Sequence, residues 1–175
     1  MARVEKLCLR DQVWTTAAPL PSGRTYASAV VQNGQLYVIG GYTEDAPTDE
    51  ILRYDGIGDT WAVVAALSQR RYKCGVAPDD DGGIFVVGGY GRSLTVVERF
   101  DTRTLQVALL PPLPKGRHNP GVLATPGTLH VFGGWGSGRV TATRLSLSLT
   151  GAGGWTESDE PLPQDHEFAA VLTSV

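Results

Sequence analysis

Four basic side chains recur at one place in this sequence. Arg24, Arg71, Arg117 and His166 each stand four residues after a leucine, at Leu20, Leu67, Leu113 and Leu162. Three aromatic residues recur as well. Tyr42, Tyr90 and Trp135 each follow a glycine pair, in LYVIGGY, IFVVGGY and LHVFGGW. A guanidinium group makes paired hydrogen bonds to carboxylates. Arginine and aromatic residues are the usual anchors of protein interfaces. The set therefore reads as recognition chemistry: a mixed aromatic and guanidinium surface gripping an acidic peptide segment. Its expected contact residues are Tyr42, Arg71, Tyr90, Arg92, Arg117, His118, Trp135 and Arg139, with Arg24, Arg70, Glu44, Asp45 and His166 on the same face.

Catalysis and metal binding find less material. The three histidines fall at no ligand spacing, and Cys8 and Cys74 are far apart. PDDDGG at 78–83 lacks the alternating acids of a calcium loop and reads as a hairpin turn. GGWGSG at 133–138 follows a strand but opens no helix, which a phosphate-cradling loop requires. No Ser-His-Asp or Cys-His set is placed together by the sequence. The expectation is no enzyme, no metal and no cofactor.

These side chains must be carried by short strands. Glycine supplies 22 and proline 11 of the 175 residues, too many turn formers for long helices. Runs such as Ala27–Val31, Leu36–Ile39 and Val122–Ala124 are apolar and bounded by turn residues. Composition allows one domain with a real core, with 42% hydrophobic and 19% charged residues. A formal net charge of −3 with scattered Lys and Arg argues against nucleic acid. No apolar run is long enough to cross a bilayer as a helix, and MARVEKLCLRDQVW lacks a signal peptide's apolar middle. The cysteines read as reduced thiols of a cytoplasmic protein.

The recurring leucines lie 47, 46 and 49 residues apart. Trp14, Trp61 and Val107 stand six residues before theirs, while Trp155 is displaced by one. Tyr54-Asp55 and Phe100-Asp101 stand just before the turns that lead to Trp61 and Val107. The order of arginine, apolar strand, Gly-Gly, aromatic-Asp and Trp resembles the kelch repeat. VVERFDTRTLQV and YDGIGDTWAVVAALSQRR are most similar to the kelch-like (BTB-kelch) substrate adaptors of cullin ubiquitin ligases. In the third copy, TRLSLSLTGAGGW departs from the pattern by lacking the aromatic-Asp pair.

The resemblance implies an all-β, kelch-type propeller, four strands to a blade. The expected repeats are 20–66, 67–112 and 113–161, making three complete blades in a single partial propeller. Orphan strands are expected at 12–16 and 166–175. An open arc exposes strand edges that recruit other chains. The expectation is a fragment of a longer protein, with a self-associating arc as the runner-up. The resemblance further implies a non-catalytic module binding a protein partner, as the substrate-recognition part of a ligase adaptor. Kelch-type enzymes (oxidase, epimerase or specifier-like) and actin-associated structural proteins are the alternatives within the family.

Each candidate has a competing structural role. Arg24, Arg71 and Arg117 could tie neighbouring blades together through loop carbonyls, and the aromatics after Gly-Gly could be packing lids. Trp14, Trp61 and Trp155 read as core, and His130 as a satisfied strand residue.

Overall fold

The computed structural model describes residues 2–92, 94–151 and 153–158. His166 and the strand expected at 166–175 lie outside the described residues. Every regular element among those described is a strand, and twelve of these strands form three four-stranded antiparallel sheets. The first sheet runs Ser28–Gln32, Gln35–Ile39, Glu50–Asp55 and Thr60–Ala66. The second runs Gly75–Pro78, Gly83–Val87, Val97–Asp101 and Val107–Leu110. The third runs Gly121–Thr125, Thr128–Phe132, Arg144–Ser148 and Trp155–Glu157. Within each sheet, neighbours in sequence are neighbours in space. These are blades, and they converge at their first strands. Gly75–Pro78 packs against Ser28–Gln32 on one side and Gly121–Thr125 on the other. Ser28 Oγ donates to the Cys74 carbonyl at 2.7 Å, and Gln32 Nε2 to that of Asp79 at 2.8 Å. A Cβ at Gly75 would come within 2.4 Å of Val122 Cγ2, so only glycine permits this approach.

Short-range chemistry shapes the turns. Asn33 and Gly34, with φ of 51° and 72°, make the two-residue turn that matches strand twist in a hairpin. In PDDDGG, Asp79 Oδ1 accepts from the N–H groups of Asp81 at 2.9 Å and Gly83 at 2.6 Å, closing a hairpin between Gly75–Pro78 and Gly83–Val87. The Asp of each aromatic-Asp pair does similar work between the third and fourth strands. Asp55 Oδ1 accepts from Ile57 N–H, and Asp101 Oδ1 from those of Arg103 and Thr104. The two backbone donors hold the Asp101 carboxyl down at about 2. The third blade lacks that Asp and still pairs its last strands, through Leu145 opposite Glu157 to Leu147 opposite Trp155.

The core lies between blades rather than inside any one of them. Strand Gly83–Val87 is buried on both faces, so it shows no polar alternation. Its Ile84 and Val86 join Tyr37, Ile51 and Phe100 in one cluster. Its Phe85 and Val87 join Leu129, Val131 and Leu147 in the other. His130 points away from that core and is satisfied locally, by Thr125 Oγ1 at 3.2 Å and Ser146 Oγ at 3.0 Å.

Two expectations change at the N-terminus and the tryptophans. The expected lone strand at 12–16 runs Val13–Ala17 and has a partner. Val4–Cys8 pairs with it antiparallel, from Val4 opposite Ala17 to Cys8 opposite Val13. VEKLC lacks an alternating apolar pattern, so periodicity hides it. Trp14 is 64% exposed rather than core. Trp61 and Trp155 are half-buried, and each clamps the segment leaving the preceding unit: Nε1 of Trp61 donates to Ala18 at 3.0 Å, and that of Trp155 to Pro111 at 2.8 Å.

The two thiols are predicted to separate chemically. Cys8 is exposed. Burial pushes the Cys74 thiol up to about 11. At about pH 8, where an ordinary thiol ionises readily, a maleimide should label one cysteine quickly, and Cys8→Ser should remove that fast phase. Rapid labelling of both thiols in the folded chain would contradict the placement of Cys74.

Candidate functional site

The rim where the inter-blade loops meet the loops after Gly-Gly is built the same way three times. Before each first strand, one non-glycine residue takes a left-handed conformation: Tyr26 at φ 54°, Lys73 at 58° and Asn119 at 52°. Such residues cost free energy and cluster where structure serves a site. The residue before each kink pairs across to the aromatic that follows the glycines. Thr25 faces Tyr42, Tyr72 faces Tyr90, and His118 faces Trp135.

The glycine pairs make this possible. Gly40 and Gly88 have φ of 59° and 61°, and a Cβ on either would meet the carbonyl oxygen of the next blade's arginine, Arg71 at 2.4 Å and Arg117 at 2.2 Å. The second glycine donates its N–H to that same oxygen, Gly41 to Arg71 and Gly89 to Arg117, both at 3.0 Å. The pair is therefore an inter-blade seam, and the residue after it emerges at the rim.

The rings then touch in an unbroken series across three blades. Tyr42 meets Tyr72 at 5.4 Å between ring centres, Tyr72 meets Tyr90 at 5.4 Å, Tyr90 meets His118 at 5.7 Å, and His118 stacks on Trp135 at 5.1 Å. Tyr26 flanks Tyr72 at 5.9 Å and carries the Lys73 ammonium over its face at 4.7 Å. Tyr90 is 46% exposed, and Tyr26 and Tyr42 are exposed too. Burial, with the neighbouring Tyr90, Tyr42 and Tyr26, pushes the Tyr72 phenol above its ordinary range.

The expected contact residues divide. Tyr42, Tyr90, His118 and Trp135 are brought together in the arc. Arg92 and Arg139 are exposed nearby in sequence, as are Arg70, Glu44 and Asp45. Arg71 and Arg117 are not surface groups: they are 0% and 3% exposed. Arg71 Nη1 donates to the carbonyls of Gly88 and Val96, both at 2.9 Å, and Nη2 is paired with the buried Glu98 carboxylate. Arg117 Nη1 donates to Gly133 O at 2.9 Å and Thr143 Oγ1 at 3.0 Å. Arg24 is held likewise by Gly40 O and Glu50. The backbones of Arg71 and Arg117 bond the preceding blade, Arg71 N–H to Thr48 O and Arg117 N–H to Leu94 O, both at 3.1 Å. Arg71 and Arg117 each tie their own blade to the one before. The guanidinium surface expected at Arg71 and Arg117 is thus replaced by interior struts, because loop carbonyls converge on them. His118 is 6% exposed and contributes mainly as packing within the arc.

Sequence reasoning missed Tyr26, Tyr72 and Lys73. Tyr72 was signalled: it follows Arg71 as His118 follows Arg117. No group of three or more His, Cys, Asp or Glu that could hold a metal occurs among the described residues.

Comparison with known proteins agrees with this architecture. A family model described as the kelch motif matches residues 23–68 and 80–114. A RING finger domain and kelch repeat-containing protein of Dictyostelium discoideum is 30% identical over 118 residues, covering 64% of this chain and 12% of that protein. Kelch-like protein 35 of Mus musculus is 30% identical over 124 residues, covering 69% of this chain and 21% of that protein. The chain thus spans only a minor part of these relatives' length. The solved structure of YjhT superposes with a TM-score of 0.76 at 18% identity, over 93% of this chain and 60% of that one, a likeness of fold. The repeated seams, the radial four-stranded blades and these matches agree: the chain belongs to the kelch-repeat family, as a partial β-propeller.

Proposed function

We propose that this chain is a non-catalytic protein-interaction module that holds a partner polypeptide on the aromatic arc, as the substrate-recognition part of a ubiquitin-ligase adaptor. The observation that carries the binding reading is the unbroken contact from Tyr42 through Tyr72, Tyr90 and His118 to Trp135 on a partly exposed rim. Rigid amphipathic rings supply apolar area to a partner at low entropy cost and dominate interface energetics. The exposed Arg70 and Arg92 flank them and favour an acidic segment. The adaptor role rests on the likeness to kelch-like proteins.

The test is quantitative capture of partners by the wild-type chain and by Tyr42→Ala/Tyr90→Ala, with near-ultraviolet circular dichroism as the check on folding. Losing two anchors should weaken a captured partner about thirtyfold, the effect of one hot spot of about 2 kcal/mol. Leu109→Ala, on an outer strand away from the arc, should leave capture unchanged. Wild-type capture by the folded double variant would reject the arc.

A further inference from the structure

The three arginine struts are not equivalent, and the difference lies in the counter-charge. In the first blade, Arg24 Nη2 meets Glu50 at 2.7 Å. In the second, Arg71 Nη2 meets Glu98. These acids come from two different positions of the third strand. Glu50 leads its strand, whereas Glu98 pairs with Val86 as Leu52 pairs with Val38. The third blade has an acid at neither position. Thr143 stands where Glu50 does, and Leu145 where Glu98 does. Arg117 is as deeply placed as its counterparts, yet it forms no ion pair among the described residues. Its Nη1 is satisfied by Gly133 and Thr143. Its Nε is buried without a partner, as are those of Arg24 and Arg71, whereas its Nη2 meets no acceptor among the described residues and is not sealed inside the protein.

Arg117 lines a cavity of about 380 Å³. The exposed Lys115 and Arg139 share it, as do Thr141 and Thr143. One acid among the described residues, the exposed Glu157, also lines it, so three described cations face one described carboxylate. Burial lowers the basicity of Arg117, and Glu157 partly offsets this, but a guanidinium keeps its charge at neutral pH. The corresponding hollow beside Arg24 is different: Glu44 and Asp45 line it, and Arg24 already has Glu50. A buried cation whose Nη2 is open and meets no carboxylate, in a roomy cavity with a net positive lining among the described residues, is an incomplete ion pair.

We propose that the third blade holds an oxyanion site. A carboxylate or phosphoryl group binds there, taking Nη2 of Arg117 with Lys115 and Arg139, and fills the role that Glu50 and Glu98 play in the other two blades. The site does not depend on the aromatic arc, and it stands whether or not that arc binds a protein.

The experiment measures thermal midpoints and calorimetric binding of the full chain at constant ionic strength. Inorganic phosphate is the phosphoryl probe, and acetyl-Gly-Glu-Gly-amide the carboxylate probe. At least one should stabilise the wild type saturably beyond matched chloride, and the one that does names the ligand chemistry. Thr143→Glu, which puts a carboxylate at the position Glu50 holds in the first blade, should raise the midpoint without ligand and abolish the response. Arg139→Glu, at an exposed position, should weaken binding about tenfold or more, the loss of one charge-assisted hydrogen bond, and it serves where Thr143→Glu does not fold. A wild type that responds to neither probe, or a folded Thr143→Glu that keeps the full response, overturns the site. Tyr42→Ala/Tyr90→Ala should bind the probes normally, so failure of this site and failure of the aromatic arc are read separately.

Discussion

Replacing Glu98 by leucine is expected to destabilise the chain by about 3–5 kcal/mol, the range for removing one member of a buried ion pair. Glu98 and Arg71 are both fully buried. The substitution leaves the Arg71 guanidinium with carbonyl partners only, at Gly88, Val96 and Val86, with no opposite charge. It also frees the Ser68 N–H, which Glu98 Oε1 accepts at 2.7 Å. Shape is not the difficulty, because Leu52 and Leu145 occupy the same place in the other blades. The loss therefore isolates charge. Chemical denaturation measures it as a lower midpoint at unchanged slope. A rescue follows from the first blade: adding Val96→Glu moves the carboxylate to the position of Glu50 and should recover more than half of the loss. A single-variant loss below about 1 kcal/mol, the value of an exposed pair, would mean that water reaches Arg71.

Gly88→Ala is expected to cost about 2–5 kcal/mol, and here the contrast with a second glycine carries the argument. Gly88 and Gly34 are both left-handed, at φ of 61° and 72°. An alanine at either carries the conformational cost, about 1–2 kcal/mol. At Gly34 a Cβ meets nothing within 4 Å, so the cost ends there. At Gly88 the Cβ would sit 2.2 Å from the Arg117 carbonyl oxygen, which Gly89 holds through its N–H at 3.0 Å. The second and third blades must separate along their seam, adding the 1–3 kcal/mol typical of overpacking. The excess of Gly88→Ala over Gly34→Ala in paired unfolding curves reads the seam alone. Equal losses would show that Gly-Gly serves only the backbone conformation.

Both expectations bear on how the repeat could be read. The turn chemistry was open to inspection. PDDDGG and the aromatic-Asp pairs act within a few residues of themselves, and they close their hairpins as local hydrogen bonding requires. The strand Val4–Cys8 was not readable, since its stability comes from its partner Val13–Ala17 rather than from its own pattern. Trp14 shows the same limit. It shares a repeat position with Trp61, but burial of that ring depends on an adjoining unit.

The period of this sequence, with its glycine pairs and short apolar runs, determined on its own that the chain forms sheets of four strands and that Tyr42, Tyr90 and Trp135 emerge at equivalent loops. Those features are set by neighbours along the chain. Which arginines face solvent was decided only in three dimensions. Arg71 meets carbonyls and a carboxylate contributed 17 to 27 residues away, and a charged side chain in a packed interior goes where such partners converge. The same holds for Arg117, identical in its repeat position, whose blade has Thr143 and Leu145 where the other two have their acids. Tertiary packing, not the motif, gives the Nη2 of one arginine a buried carboxylate and leaves that of the other without one.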